Sequence, residues 1–177
     1  MIQRGAAIVL IGFMGTGKSS VGQLLAQRNG WRKFDMDELV AAKFDLLITE
    51  IFARLGEERF RDAETLVLRE LPRGGGSIVV TGGGTVLRAE NVQLLREIGT
   101  IVCLTADEET LFARLASRRN RPLLQTPDPR ATMQEVLRSR ETIYRDAADI
   151  VIETSDLTHK EVADEVMREL KALSVQR

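Results

Sequence analysis

One run of eight residues constrains this chain more than any other feature: Gly12-Phe13-Met14-Gly15-Thr16-Gly17-Lys18-Ser19 fits G-x-x-x-x-G-K-[ST]. It follows the apolar run Ala6 to Ile11, which reads as a strand buried on both faces of a parallel sheet. It opens a segment with Val21, Leu24, Leu25 and Arg28 at helical spacing, closed by the stop signal Asn29-Gly30. A glycine-rich turn between a buried strand and a helix has a defined use. Its amides wrap phosphate oxygens, the helix N-terminus favours negative charge, Lys18 reaches the β- and γ-phosphates and the Ser19 hydroxyl can bind Mg²⁺.

Composition narrows the setting. The chain has 177 residues, with 25 Lys plus Arg against 26 Asp plus Glu. A single domain of this size buries about 70% of the surface its unfolded chain exposes, enough for a core without disulfides. One cysteine excludes a disulfide framework and a cysteine-based zinc site. A net charge of −1 gives no bulk attraction to nucleic acid or to an anionic membrane, so any bound anion is held locally. No apolar stretch approaches the roughly 20 residues of a membrane span, and the N-terminal run is no signal peptide. The expected compartment is the cytoplasm and the expected state a monomer, with no nucleic-acid or membrane partner.

The remaining chain alternates strands and helices. Trp31 to Phe34 is expected as a second strand ending in Asp35-Met36-Asp37, and Glu38 to Leu71 as helical with a break at Gly56. Ser77 to Val80, Thr100 to Leu104 and Ile150 to Ile152 complete the set of five strands. Helices are expected over Ala89 to Ile98 and from near Thr105, with Glu108 completing a capping box there. Leu157, Thr158, Glu161 and Val162 spell a staple and capping box for the last helix. The pattern predicts an α/β fold, a three-layer α/β/α arrangement around a five-stranded parallel sheet. Pro122, Pro127 and Pro129 fall within Arg118 to Arg130, which is expected as a long functional loop.

Acids and arginines carry the remaining chemistry. The third strand ends in Thr81 and Gly82-Gly83-Gly84, so it offers no carboxylate for a metal. Asp35 and Asp37 do. On an extended strand end, residues i and i+2 face the same way, so both carboxylates are expected to point at the phosphate site. Asp35 is the candidate metal ligand and Asp37 the candidate base for a substrate hydroxyl; the competing possibility is that one of them only caps the next helix. Gly82-Gly83-Gly84 allows close approach to the backbone, whereas Gly74-Gly75-Gly76 reads as a plain turn. Arg61 with Glu64 and Arg140 with Tyr144 are neighbours on helix surfaces, either solvated pairs or guanidiniums held for bidentate recognition of a carboxylate. Arg118, Arg119 and Arg121 can supply transition-state charge if the proline-rich loop closes. Cys103 is expected in the core, His159 exposed at the start of the last helix, and Trp31 packed on its strand.

In order along the chain, the segment Gly12 to Ser19, Phe34-Asp35-Met36-Asp37, Ile51-Phe52 with Gly56-Glu57 and Phe60-Arg61 with Glu64, Thr81-Gly82-Gly83-Gly84, Arg121-Pro122-Leu123-Leu124 and Arg140 with Tyr144 resemble the shikimate kinase family over nearly the whole length. The resemblance implies a P-loop fold like that of nucleoside monophosphate kinases. It divides the chain into a core (1–34, 77–117 and 148–177), a helical substrate-binding region of about 35–72 and a lid of about 118–131. It implies ATP-dependent phosphorylation of the shikimate 3-hydroxyl, a step towards chorismate and the aromatic amino acids, with Mg²⁺. Carried over by position, shikimate contacts fall on Asp37, Arg61, Gly82, Gly83, Gly84 and Arg140, with Asp37 also the base. Nucleotide contacts fall on Gly15, Thr16, Gly17, Lys18, Ser19, Ser20, Arg114 and Arg121. Lys18 and Arg121 act on the transferring phosphoryl group, Arg114 stacks on adenine, and Ser19 and Asp35 hold Mg²⁺. Phe44-Asp45-Leu46-Leu47 departs from the small residues usual in the family, away from any ligand. A related kinase acting on gluconate is the nearest alternative. A GTPase-type switch would need an Asn/Thr-Lys-x-Asp motif and an Asp-x-x-Gly after a core strand, which do not occur in that context.

Overall fold

The computed structural model describes residues 7–116 and 126–175. Arg118, Arg119, Arg121, Pro122, Leu123 and Leu124 lie outside the described residues. Five parallel strands, β1 (Ala7–Ile11), β2 (Arg32–Asp35), β3 (Ser77–Val80), β4 (Thr100–Thr105) and β5 (Ile150–Glu153), form one sheet in the order β2-β3-β1-β4-β5. This is the sheet that the strand–helix alternation predicts.

Strand alternation splits the core into two faces. Ala7, Val9, Ile11, Val79, Ile101 and Cys103 point to one side, and Ile8, Leu10, Ile78, Val80, Val102 and Leu104 to the other. The second side is covered by α1 (Lys18–Asn29) and α7 (His159–Val175), through Val21, Leu25, Val162, Ala163 and Val166. The first is covered by α2 (Met36–Phe44), α3 (Ile48–Glu70), α4 (Ala89–Ile98), α5 (Glu108–Ala116) and α6 (Pro129–Ala147). All five β1 side chains are buried. A fully buried aliphatic side chain contributes about 1.5–3 kcal/mol relative to exposure, so β1 anchors both layers and holds steady the loop that leaves its C-terminal end.

Several local expectations are corrected. Asp35 and Asp37 do not share an extended strand end: helix α2 begins at Met36, so Asp37 already sits in its first turn. The reason is capping. Asp35 Oδ1 accepts the Asp37 amide at 3.2 Å and so starts the helix one residue after itself. The second strand accordingly runs from Arg32 to Asp35 rather than from Trp31. The helical stretch 38–71 is broken a second time, at Asp45, whose left-handed backbone (φ 52°) terminates α2 before α3 starts. Gly56, at φ 82° and ψ 168°, kinks α3 as expected. Thr105 closes β4 and does not cap α5; Asp107 does, accepting the Thr110 amide at 2.7 Å. The proline-rich loop ends earlier than Arg130, because Asp128 accepts the Ala131 amide and Pro129 opens α6. The capping box on α7 is present, with Thr158 and Glu161 exchanging hydrogen bonds.

Candidate active site

The glycine-rich turn between β1 and α1 lies at the C-terminal edge of the sheet, in a cavity of about 300 Å³. Met14, Gly15, Gly17, Lys18, Ser19 and Ser20 line its floor, and Asp37, Thr81, Gly82, Gly83, Arg114 and His159 its walls. The loop is held by its own residues. Thr16, 2% exposed, donates its hydroxyl to Phe13 O at 2.9 Å. Lys18 donates to Gly12 O and Phe13 O, both at 2.8 Å, which folds its ammonium back over the turn. Arg114 ties the turn to the far edge of the sheet through Gly15 O at 3.3 Å, Thr154 Oγ1 at 3.2 Å and Thr154 O at 2.9 Å. His159 is exposed, as expected, but its place was not: a Cβ on Gly17 would lie 3.2 Å from its ring, which makes it part of the cavity wall.

Beside the turn, three helices, α2, α3 and α6, meet at Gly82-Gly83-Gly84. A Cβ on Gly84 would sit 2.3 Å from Arg61 Nη2, and one on Gly82 would sit 2.8 Å from Asp37 Oδ1. Space, rather than an unusual φ, is what glycine supplies here: Gly84 has φ −108°. Gly83 O accepts the Tyr144 hydroxyl at 2.5 Å and lies 3.5 Å from Arg140 Nη1. The arginines of α3 and α6, 79 residues apart (140 − 61), thus meet on one three-residue loop.

Arg61 is fixed by a buried polar chain. Its Nη1 donates to Glu64 Oε2 at 2.6 Å, and the other oxygen, Oε1, accepts the Thr85 hydroxyl at 2.5 Å. Asn91 Nδ2 donates to Thr85 O at 2.9 Å, while Asn91 Oδ1 accepts the Thr65 hydroxyl at 2.7 Å. Glu64, Thr85 and Asn91 are each 0% exposed. Burial pushes the Glu64 carboxyl up from its ordinary value, against the pull of Arg61 and Thr85. Burial also disfavours the Arg61 charge, yet the Glu64 and Glu57 carboxylates outweigh it and hold the guanidinium above its ordinary value. Ionised, Glu64 meets a donor on each oxygen, the arrangement that makes a buried charge tolerable.

The i, i+3 spacing of Arg61 and Glu64 was visible in the sequence, but Thr85 and Asn91 were missed. Nothing distinguishes them from ordinary polar residues until the fold buries them. Tyr144, read as a neighbour of Arg140, does engage that guanidinium and also anchors Gly83; burial raises its hydroxyl to about 12 against the pull of Arg140. Asp35 is engaged as a cap and lies 3.7 Å from Lys33 Nζ. Cys103 is buried between the layers, which pushes its thiol up to about 11 and leaves it inert at neutral pH. Trp31 packs against the sheet, with Gly76 beneath its indole.

The profile of the shikimate kinase family matches residues 14–171. Among relatives, the shikimate kinase of Thermodesulfovibrio yellowstonii is 44% identical over 94% of this chain and 96% of its own length. That of Geobacter sulfurreducens is 44% identical over 92% of this chain and 89% of its own. Among solved structures, the shikimate kinase from Acinetobacter baumannii in complex with shikimate superimposes with a TM-score of 0.90 at 33% identity, covering 97% of this chain and 96% of that one. A gluconokinase from Sinorhizobium meliloti, at 17% identity and a TM-score of 0.62, shares the fold.

Proposed function

Since the chain belongs to the shikimate kinase family, we propose that it transfers the γ-phosphoryl group of ATP to the 3-hydroxyl of shikimate, with Asp37 as base and Arg61 and Arg140 as the carboxylate fork. One observation carries this reading: Asp37, Arg61 and Arg140 converge on Gly82-Gly83-Gly84, and Asp37, Gly82 and Gly83 line the same cavity as Lys18. An acid for a hydroxyl and two guanidiniums for a carboxylate are what a small hydroxylated carboxylic acid requires.

In the reaction, the substrate oxygen forms a bond to the γ-phosphorus as the bond from that phosphorus to the β–γ bridging oxygen breaks, and the hydroxyl proton passes to the Asp37 carboxylate. Lys18 exchanges its loop carbonyls for β- and γ-phosphate oxygens, and the amides of Gly15, Thr16, Gly17, Ser19 and Ser20 take the remaining phosphate charge. Mg²⁺ takes few protein ligands and keeps water and phosphate for the rest. Ser19 offers a hydroxyl at the cavity floor, and Asp35, which is not in the cavity lining and also faces Lys33, would be the second ligand through oxygen lone pairs beyond its capping bond. Held there, such an ion would neutralise phosphate charge. Arg114 and His159 line the cavity and would border the base and ribose, and Arg121, which lies outside the described residues, would add charge to the transferring group. Among the described residues no helix is long and apolar enough to cross a membrane. With balanced charge and an inert thiol, the reading is completed by a cytoplasmic monomer.

The test is ADP release from Mg·ATP with shikimate, with gluconate as the parallel acceptor. Release is expected with shikimate only, and it is lost in Arg140→Ala. Asp37→Asn abolishes turnover while ATP still binds; full activity in that variant removes Asp37 as base, and release with gluconate alone overturns the acceptor.

A further inference from the structure

All three nitrogens of the Arg61 guanidinium face carboxylates, but the two carboxylates are unequal. Glu64, on Nη1, is fully buried and also holds Thr85. Glu57 takes the opposite edge: its Oε1 accepts from Nη2 at 2.9 Å and from Nε at 3.2 Å. That Nε–Nη2 edge is the side-on fork with which an arginine grips a carboxylate through two parallel hydrogen bonds. The Glu57 side chain is 61% exposed, against 13% for Arg61, and it follows directly on the kink at Gly56.

We propose that Glu57 is a placeholder for the substrate carboxylate, competing with it for the Nε–Nη2 edge of Arg61 and being displaced when the acceptor binds. The proposal rests on the reading of this cavity as the acceptor site. Charge decides the displacement. A third carboxylate, added where Glu57 and Glu64 already face Arg61, leaves a local excess of one negative charge even with Arg140 counted. One of the two must therefore yield. Glu64 cannot, because withdrawing it leaves a buried carboxylate and the Thr85 hydroxyl without partners. Glu57 can, because an exposed ion pair exchanges for water at little loss. The contact keeps the fork formed and extended over Gly84 when no substrate is present, and it sets a threshold that a neutral analogue of the acceptor, unable to compete for the guanidinium, does not cross.

The experiment is a calorimetric titration of shikimate into the intact protein, alongside steady-state KM and kcat, for the wild type, Glu57→Gln and Glu58→Gln. Glu58 is exposed and adjacent, so its variant removes the same charge without freeing the Arg61 edge. Glu57→Gln is expected to tighten shikimate binding and lower its KM about twofold to fivefold, the range of an exposed ion pair, with a smaller change in kcat. Glu58→Gln is expected to leave both nearer the wild type. Unchanged or weaker binding in Glu57→Gln overturns the proposal, as does an equal gain in both variants, which makes the effect one of general charge. Arg61→Ala separates this from the underlying reading: if that variant binds shikimate as the wild type does, Arg61 leaves the acceptor site and the placeholder goes with it.

Discussion

The two walls of the cavity are built in opposite ways. The phosphate-binding side comes from one contiguous stretch, Gly12 to Ser20, whose loop is braced by its own carbonyls and by Arg114. The acceptor wall is assembled from α2, α3, α6 and the loop after β3, and depends on side chains that meet only in the folded chain. Phosphate is a general ligand, answered by backbone amides in one local conformation. A particular hydroxylated acid is answered by guanidiniums and a carboxylate at fixed separations, which no single segment supplies.

The sharpest way to break this contrast is Gly84→Ala. The new Cβ would lie 2.3 Å from Arg61 Nη2 and 2.5 Å from its Cζ, so the guanidinium must leave the loop. Displacing a positioned group by about 1 Å can lower the rate about 100-fold. The shikimate KM is expected to rise by roughly 10- to 100-fold, with the ATP KM within about twofold of the wild type. An equal rise in both constants would show that the walls are not separable.

Thr85→Val probes the support behind the acceptor wall. It keeps the shape of a fully buried side chain and removes the donor to Glu64 Oε1. A buried acceptor left short of a donor costs about 1–3 kcal/mol, a fall in Tm of roughly 3–10 °C at this length. Thermal melts and the shikimate KM read the two consequences, and Thr85→Ser restores both. The pH dependence has a definite sign. Burial already lifts the folded Glu64 carboxyl above its unfolded value, and losing the Thr85 bond lifts it further. The folded variant therefore binds that proton more tightly than the unfolded chain does, and its stability deficit grows as pH rises through the folded pKa.

This contrast also governs what the sequence could tell. The phosphate turn was legible because each of its parts lies within nine residues of the last strand residue of β1, in an order that only one local conformation satisfies, whereas His159, which closes the same side, was not. The five strands were legible from apolar runs, since a parallel sheet buries both faces. Asp35 and Asp37 were legible as acids but misplaced, because strand alternation was extrapolated across a residue that caps a helix. Arg61 and Arg140 were legible as arginines with neighbours, yet their convergence on Gly83 and Gly84 is a property of the sheet order. Thr85 and Asn91 carried no signal at all: their role comes from burial, and burial of a threonine or asparagine has no periodicity to betray it.

The smallest expected effect lies where the walls touch. A Cβ on Gly83 would be 3.6 Å from the Tyr144 hydroxyl, 3.7 Å from Met14 N and 3.8 Å from Gly12 O, so this residue borders both the phosphate turn and the acceptor loop. Tyr144→Phe keeps the buried ring, which is 4% exposed, and removes the hydrogen bond to Gly83 O. The carbonyl retains Arg140 Nη1 at 3.5 Å, a weak substitute. Losing the hydrogen bond to Gly83 O costs about 0.5–1.5 kcal/mol, a fall in Tm of roughly 1–6 °C, and the contact of the hydroxyl with Arg140 goes with it. Because Gly83 serves both walls, the two KM values are expected to rise together by about twofold to threefold, in contrast to the one-sided effect of Gly84→Ala. A rise confined to shikimate would assign Gly83 wholly to the acceptor wall and move the boundary between the two regions to Thr81, whose hydroxyl donates to Leu10 O at 3.0 Å and so belongs to the sheet edge that carries the phosphate turn.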